Sequence, residues 1–169
     1  MKKKLGLLWA SFVFLLIIIS MASINKNTNL KKVIDYAGVQ IDKDQLWVEV
    51  ALEKKKHTVI VRKGEEIVKE MPCSGGTEQE PTILGVFYLE NRGEWFYSER
   101  YDEGALYWVR FYEQYLFHSV PIDKEFNVLE EEKKLIGTAA SHGCVRLLEE
   151  DAKWFYYNVP DDTMVVIHD

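Results

Sequence analysis

Two stretches of this sequence hold side chains that could do chemistry together. Ser141-His142-Gly143-Cys144-Val145-Arg146 sets a thiol two residues after an imidazole and two before a guanidinium. Upstream, Phe117-His118-Ser119-Val120 holds a second histidine. A cysteine attacks as its thiolate, and a free thiol has a pKa of roughly 8.5. It therefore needs a base or a positive neighbour to react near neutrality. Gly143 removes a side chain where a substrate carbonyl could approach the backbone. An N–H in such a turn could stabilise the oxyanion of a tetrahedral intermediate. The same residues allow other readings. His142 and Cys144 could give two metal ligands, with a third from His118. Cys144 could be a small core hydrophobe, or half of a disulfide with Cys73, the one other cysteine. On residue types and spacing alone, these readings all stand.

The elements that must position these groups are mostly strands. Leu46, Val48, Val50 and Leu52 alternate along "QLWVEVAL", the period-two signature of a strand with one apolar face. "HTVIVRKGEEIVKEM" has two β-branched runs around Lys63-Gly64 and reads as a hairpin. "CSGGTEQEPT" is a loop, "ILGVFYLE" a strand and "NRGEWFYSERYDEGA" a long aromatic connection. "LYWVRFYEQYLFHSV" reads as two strands turning near Glu113-Gln114, the second ending at His118. Residues 121–140 are a polar loop with one helical turn around "LEEEKKL". After Arg146, Glu149, Glu150 and Asp151 suit the first turn of a short helix. Ala152, Phe155, Tyr156 and Val159 share one side of it. Pro160-Asp161-Asp162 end it, and "TMVVIH" closes as a strand. The expected fold is mainly β, with one or two short helices.

The N-terminus has its own character. Lys2, Lys3 and Lys4 precede an uncharged apolar run from Leu5 to Ala22, the form of a secretory signal or an uncleaved anchor. Ser20 and Ala22 would suit cleavage after Ala22. Eighteen helical residues would span roughly 27 Å, close to the hydrocarbon thickness. Either way the following domain is expected outside the cytoplasm, secreted to the cell wall or held on the outer membrane face through residues 5–22. The expected organisation is 1–22 signal peptide or anchor, 23–43 polar linker, 44–169 catalytic domain. The 169 residues carry a formal charge of −6, and the part after Ala22, with 18 basic and 27 acidic side chains, a charge of −9. Such a balance excludes nucleic acid as the main partner, since phosphate binding needs a basic face.

"SHGCVRL" with the upstream "FHSV" resembles the L,D-transpeptidase family with its YkuD-type catalytic domain. "HTVIVRKGEEIVKEMPCSGGTEQEPTILGVFYL" is similar to its opening strands. "RGEWFYSERYDEGALYWVRFYEQYLFHSVPID" is similar to the centre of Firmicute-type members, and "EDAKWFYYNVPDDTMVVI" to their end. The likeness covers about residues 44–168. It implies a β-sandwich and a Cys–His site needing no metal or organic cofactor. Carried over, Cys144 is the nucleophile and His118 the general base. The backbone of Ser119 orients His118. His142 is the motif's second histidine, close to the thiolate. The N–H groups of Gly143 and Cys144 bind the oxyanion. Arg146 fixes the loop or meets a substrate carboxylate, a bidentate task that suits a guanidinium. The activity implied is 3→3 cross-linking of peptidoglycan tetrapeptide stems, with acylation by carbapenems. The alternatives are an L,D-carboxypeptidase that uses water as acceptor and a non-catalytic wall-binding module.

Three departures from the family pattern stand out. The spacer from His118 to Ser141 is longer than usual. The Thr-Pro-x-Gly segment appears as Glu80-Pro81-Thr82-Ile83-Leu84-Gly85. Cys73 replaces an apolar residue and reads as core. Trp95, Phe96, Tyr97, Tyr107 and Trp108 could line a substrate groove, although aromatics at alternating strand positions are more often core. His57 reads as a surface residue at a strand edge, His168 as incidental and Glu130-Glu131-Glu132 as a solvated face.

Overall fold

The structure, a computed structural model, describes residues 30–54 and 56–169. The signal or anchor expected at 1–22 lies outside those residues, as does the first part of the 23–43 linker. Among the described residues no helix is long and apolar enough to cross a membrane. The chain divides into two compact units, Met1–Gln40 and Ile41–Asp169. In the first, residues 30–37 are helical (α1). Gly38 follows at φ +63°, its N–H donating to the Ile34 carbonyl at 3.0 Å, a left-handed glycine ending.

In the second unit the chain runs β1 (Leu46–Glu53), β2 (Lys56–Lys63), β3 (Glu66–Ser74), β4 (Gly85–Tyr88), β5 (Arg92–Ser98), β6 (Glu103–Tyr112) and β7 (Tyr115–Ser119). The single turn α2 (Glu130–Lys133) follows, then β8 (Val145–Leu147), α3 (Glu149–Asn158) and β9 (Met164–His168). Among the described residues the strands join in the order β4-β9-β1-β2-β3-β8-β7-β6-β5. β3 connects the two halves. Most of its length pairs with β2, and its last residues, Cys73 and Ser74, pair with Leu147 and Arg146 of β8. The halves share one core: Val48, Val50, Val59, Val61 and Met71 from one, Val109, Phe111, Phe117, Val145 and Leu147 from the other. This is the expected mainly β sandwich. The stacked rings of Phe117 and Phe155, 4.7 Å apart, bring α3 into that core, with Ala152 and Val159 beside it.

Three expectations change. β1 is buried on both faces, not one. It lies between β2 and β9, and its second face carries polar groups that satisfy one another. The Trp47 indole donates to the Gly64 carbonyl at 2.8 Å. Glu49 pairs with Arg62 at 2.6 Å and faces His168 at 3.3 Å, so His168 is part of a buried charge cluster. The aromatic connection after Asn91 contains β5, an edge strand. Its aromatics fall on both faces, which hides the alternation. Finally, the Cys144 motif leads directly into β8, a three-residue strand too short to announce itself by period.

Candidate active site

β7 and β8 are parallel neighbours, with Phe117 opposite Val145, His118 opposite Arg146 and Ser119 opposite Leu147. Adjacent parallel strands need a long crossover connection. The segment from His118 to Ser141 supplies that crossover here. Opposed residues of paired strands share a sheet face, as do residues two apart. His118 and Arg146 therefore lie on one face, and Cys144 sits in the turn immediately before β8.

The His118 ring is buried. Its Nδ1 lies 2.6 Å from the Ser119 carbonyl, which can only accept, so Nδ1 carries the proton and Nε2 keeps its lone pair. Phe96 presents its ring edge-on to the imidazole at 5.7 Å. Burial, and after it the Arg146 charge, pushes His118 down to about 4 against the pull of the Ser119 carbonyl. The ring is thus neutral at pH 7. Ser119 is equally fixed: its hydroxyl accepts the Leu106 N–H at 2.9 Å and donates to the Val120 carbonyl at 2.8 Å.

Cys144 is a free, half-buried thiol whose Sγ lies 3.6 Å from the Gln114 carbonyl. Burial pushes its pKa up and Glu103 adds to the rise; the Leu116 N–H, Arg146 and Arg110 oppose it. Cys73 is also free, which removes the disulfide reading. It is fully buried opposite Leu147, and burial drives its pKa far up. Among the described residues no group of three or more His, Cys, Asp or Glu side chains is placed to hold a metal ion.

The turn before Cys144 is tightly tied. The Ser141 hydroxyl donates to the Cys144 carbonyl at 2.5 Å and accepts the Gly143 N–H at 3.1 Å. Gly143 sits at φ +108°, and a Cβ there would lie 2.7 Å from the Tyr115 ring. Thr82 Oγ1 donates to the Gly143 carbonyl and accepts the Gly76 N–H, both at 2.8 Å. So the Pro81-Thr82 segment buttresses the loop that carries Cys144. His142 turns outward. Its ring stacks on Tyr101 at 4.5 Å and its Nε2 lies 3.7 Å from Glu80. The Gly143 N–H, expected open for an oxyanion, is directed at Ser141.

Arg146 was expected to fix the loop or to meet a substrate carboxylate. The guanidinium is buried, with Glu103 at 2.9 Å on one arm, and Glu132 and the Ala140 carbonyl on the other. With its side chain 4% exposed, it is placed to brace the loop and not to reach a substrate carboxylate. Glu132 was expected on a solvated face; instead its carboxylate meets this buried charge. The aromatic candidates lie on the β5–β6 hairpin. Trp95 is exposed against Phe126, with ring centroids 5.4 Å apart. The Tyr97 hydroxyl donates to Asp102 at 2.7 Å, and the Trp108 indole donates to the Trp95 carbonyl at 3.3 Å. His57 is also corrected: it is buried, and its Nδ1 accepts the Gly75 N–H at 3.1 Å.

This sandwich, with His118 on β7 and Cys144 in the turn leading into the neighbouring β8, has known relatives. The chain belongs to the YkuD-type L,D-transpeptidase catalytic-domain family, whose model matches residues 45–167. A Bacillus subtilis (strain 168) protein provisionally named L,D-transpeptidase YciB is 43% identical over 133 residues, 75% of this chain and 68% of that protein. Among solved structures, an L,D-transpeptidase from Stackebrandtia nassauensis superposes with a TM-score of 0.59 at 21% identity, over 77% of this chain and 58% of that one. L,D-transpeptidase 3 from Mycobacterium tuberculosis, in complex with a faropenem-derived adduct, gives 0.57 at 21% identity, over 73% and 61%. At these identities the likeness is one of fold, and this chain spans about three-fifths of the solved chains.

Proposed function

We propose that this chain is a peptidoglycan L,D-transpeptidase that forms 3→3 cross-links through a Cys144 acyl-enzyme. The observation that supports the reading is the β7–β8 register, which sets a neutral His118 opposite Arg146, two residues along from Cys144. His118 Nε2 takes the thiol proton as Sγ attacks the carbonyl of the third stem residue. With the thiol pushed up and the imidazole pushed down, the resting pair is uncharged, so proton transfer accompanies attack. The oxyanion is met by the Cys144 N–H and by the Gly143 N–H, which exchanges a 3.1 Å bond to Ser141 for a charge-assisted one. The C–N bond to the terminal D-Ala breaks, and His118 returns the proton to the leaving amine. The side-chain amine of a second stem then attacks the thioester and loses its proton to His118. The departing thiolate recovers it.

Residues 44–169 form the catalytic domain in this reading, displayed outside the cytoplasm by residues 1–22 and spaced by 23–43. Trp95, Tyr97 and Trp108 line the approach of the stem. A β-lactam of the carbapenem type acylates the same sulfur. The test is release of D-Ala from a disaccharide-tetrapeptide by the full-length chain, with and without an acceptor stem. Cross-linked dimer supports transfer to an amine, and tripeptide alone identifies an L,D-carboxypeptidase. No release and no β-lactam adduct leaves a binding module.

A further inference from the structure

The long crossover between β7 and β8 does more than span a distance. At its start, Ile122 bridges both Gly104 of β6 and Val128, and the Asp123 carboxylate accepts the Glu125 and Asn127 N–H groups at 3.0 and 2.8 Å. At its far end the Ser74 hydroxyl donates to the Leu135 carbonyl at 2.8 Å. The Gly137 N–H donates to the Cys73 carbonyl at 2.9 Å. α2 is therefore held at both ends, and it delivers Glu132 to the buried Arg146 guanidinium from the side opposite Glu103. Arg146 is the residue opposite His118, two along from Cys144. Its Nε is buried with no hydrogen-bond partner, so the two carboxylates, with the Ala140 carbonyl at 3.3 Å, compensate this cation. Breaking a buried pair of this kind strands a charge, and removing one partner is costly.

We propose that Glu132 is a positioning residue: with Glu103 it clamps Arg146, and through Arg146 it holds Cys144 and His118 in place and sets the charge that faces them. The inference rests on the reading that Cys144 and His118 react. The groups acting on the thiol are Arg146 from β8, Glu103 and Arg110 from β6, and the Leu116 N–H from β7; the Gln114 carbonyl lies 3.6 Å from Sγ, and His118 stands on the paired strand β7. Glu132 reaches the thiol through Arg146. Neutralising Glu132 leaves the guanidinium less compensated, which favours the thiolate, while loss of one anchor loosens the loop.

The test is the pH dependence of Cys144 alkylation by iodoacetamide in the full-length chain, with intact mass confirming one label. It is run on the wild type, Glu132→Gln, Glu132→Asp and, as a control for charge on the same turn, Glu131→Gln. Alkylation needs no stem peptide, so it reads the clamp even in a protein that releases no D-Ala, and failure of the functional reading stays separate. The clamp predicts a midpoint lower by about half a pH unit or more in Glu132→Gln, a wild-type midpoint in Glu131→Gln, and D-Ala release down about tenfold in Glu132→Gln. Glu132→Asp, which keeps the charge, returns the midpoint toward wild type. Equal midpoints in Glu132→Gln and the wild type, with only thermal stability lowered, overturn it. Should Glu132→Gln not fold, Glu103→Gln tests the other arm with the same expected shift, and a wild-type midpoint there contradicts the clamp.

Discussion

Arg146 stands opposite His118 in the parallel register of β7 and β8, so one buried guanidinium lies beside the imidazole and two residues from the thiol. Burial first, and this charge second, hold His118 neutral. The same charge, after the Leu116 N–H, restrains the rise that burial imposes on Cys144. In the proposed reading this leaves His118 able to accept a proton at neutral pH, and Cys144 losing its proton as it attacks.

That arrangement fixes the acid side of the pH profile. His118 must be unprotonated to accept the thiol proton, and its pKa lies near 4 in place of the usual 6.5. The sign follows: lowering pH costs activity only as it passes below the depressed value. kcat/KM for D-Ala release should stay flat from pH 7 down to about 5 and fall by half near 4. An acid limb centred near 6.5 would contradict this environment for His118.

Gly143→Ala should damage the nucleophile loop. The position has φ +108°, and the added methyl would sit 2.7 Å from Tyr115 Cε1. Strain of this kind costs about 1–3 kcal/mol. Thermal unfolding should show the loss, and β-lactam acylation should slow beyond what the fall in folded fraction explains. Wild-type acylation would mean the loop tolerates a different backbone conformation.

Thr82→Val removes the hydroxyl that serves both the Gly76 N–H and the Gly143 carbonyl. Leaving buried polar groups unpaired costs about 1–3 kcal/mol. Denaturant unfolding should register that cost, and D-Ala release should fall because Gly143 loses its anchor. Thr82→Ser, which keeps the hydroxyl, should restore most of both.

Cys73 should be silent chemically and felt structurally. Its side chain is fully buried, and burial drives its pKa far up. Alkylation of native protein should add one label, at Cys144, and Cys73→Ala should keep that label. A deleted core group leaves a cavity, so Cys73→Ala should also lower stability by about 1–2 kcal/mol. Two labels on native protein would show that Cys73 is accessible.

The sequence announces strands with strong period, such as Val48 and Val50 or the hairpin around Gly64, and the turn at Glu113-Gln114. The spacing of thiol, imidazole and glycine draws attention to Cys144 but leaves its role open, and the nucleophile reading comes with the resemblance to the L,D-transpeptidase family. β5 is illegible because Trp95, Phe96 and Tyr97 put aromatic side chains on consecutive positions and erase alternation. β8 is illegible because three residues are too few to show a period, although its neighbour Cys144 was conspicuous. Glu132 and Glu103 leave no local mark, since a carboxylate that meets a buried cation looks in sequence like one in solvent. The burial of His57 is similarly a property of the Gly75 turn packed on it. What stays hidden is the long-range pairing that turns isolated polar residues into a network.

The central claim is that Cys144 is the nucleophile and the distant His118, not the adjacent His142, is its base. It is tested most directly by D-Ala release from a disaccharide-tetrapeptide, measured on the wild type, Cys144→Ala, His118→Ala and His142→Ala side by side. The account predicts no detectable release from Cys144→Ala and a loss of about 10²–10⁴-fold in His118→Ala. The loss in His142→Ala should be much smaller, because that ring packs on Tyr101 and faces Glu80. Full release from Cys144→Ala, or a larger loss in His142→Ala than in His118→Ala, would contradict it.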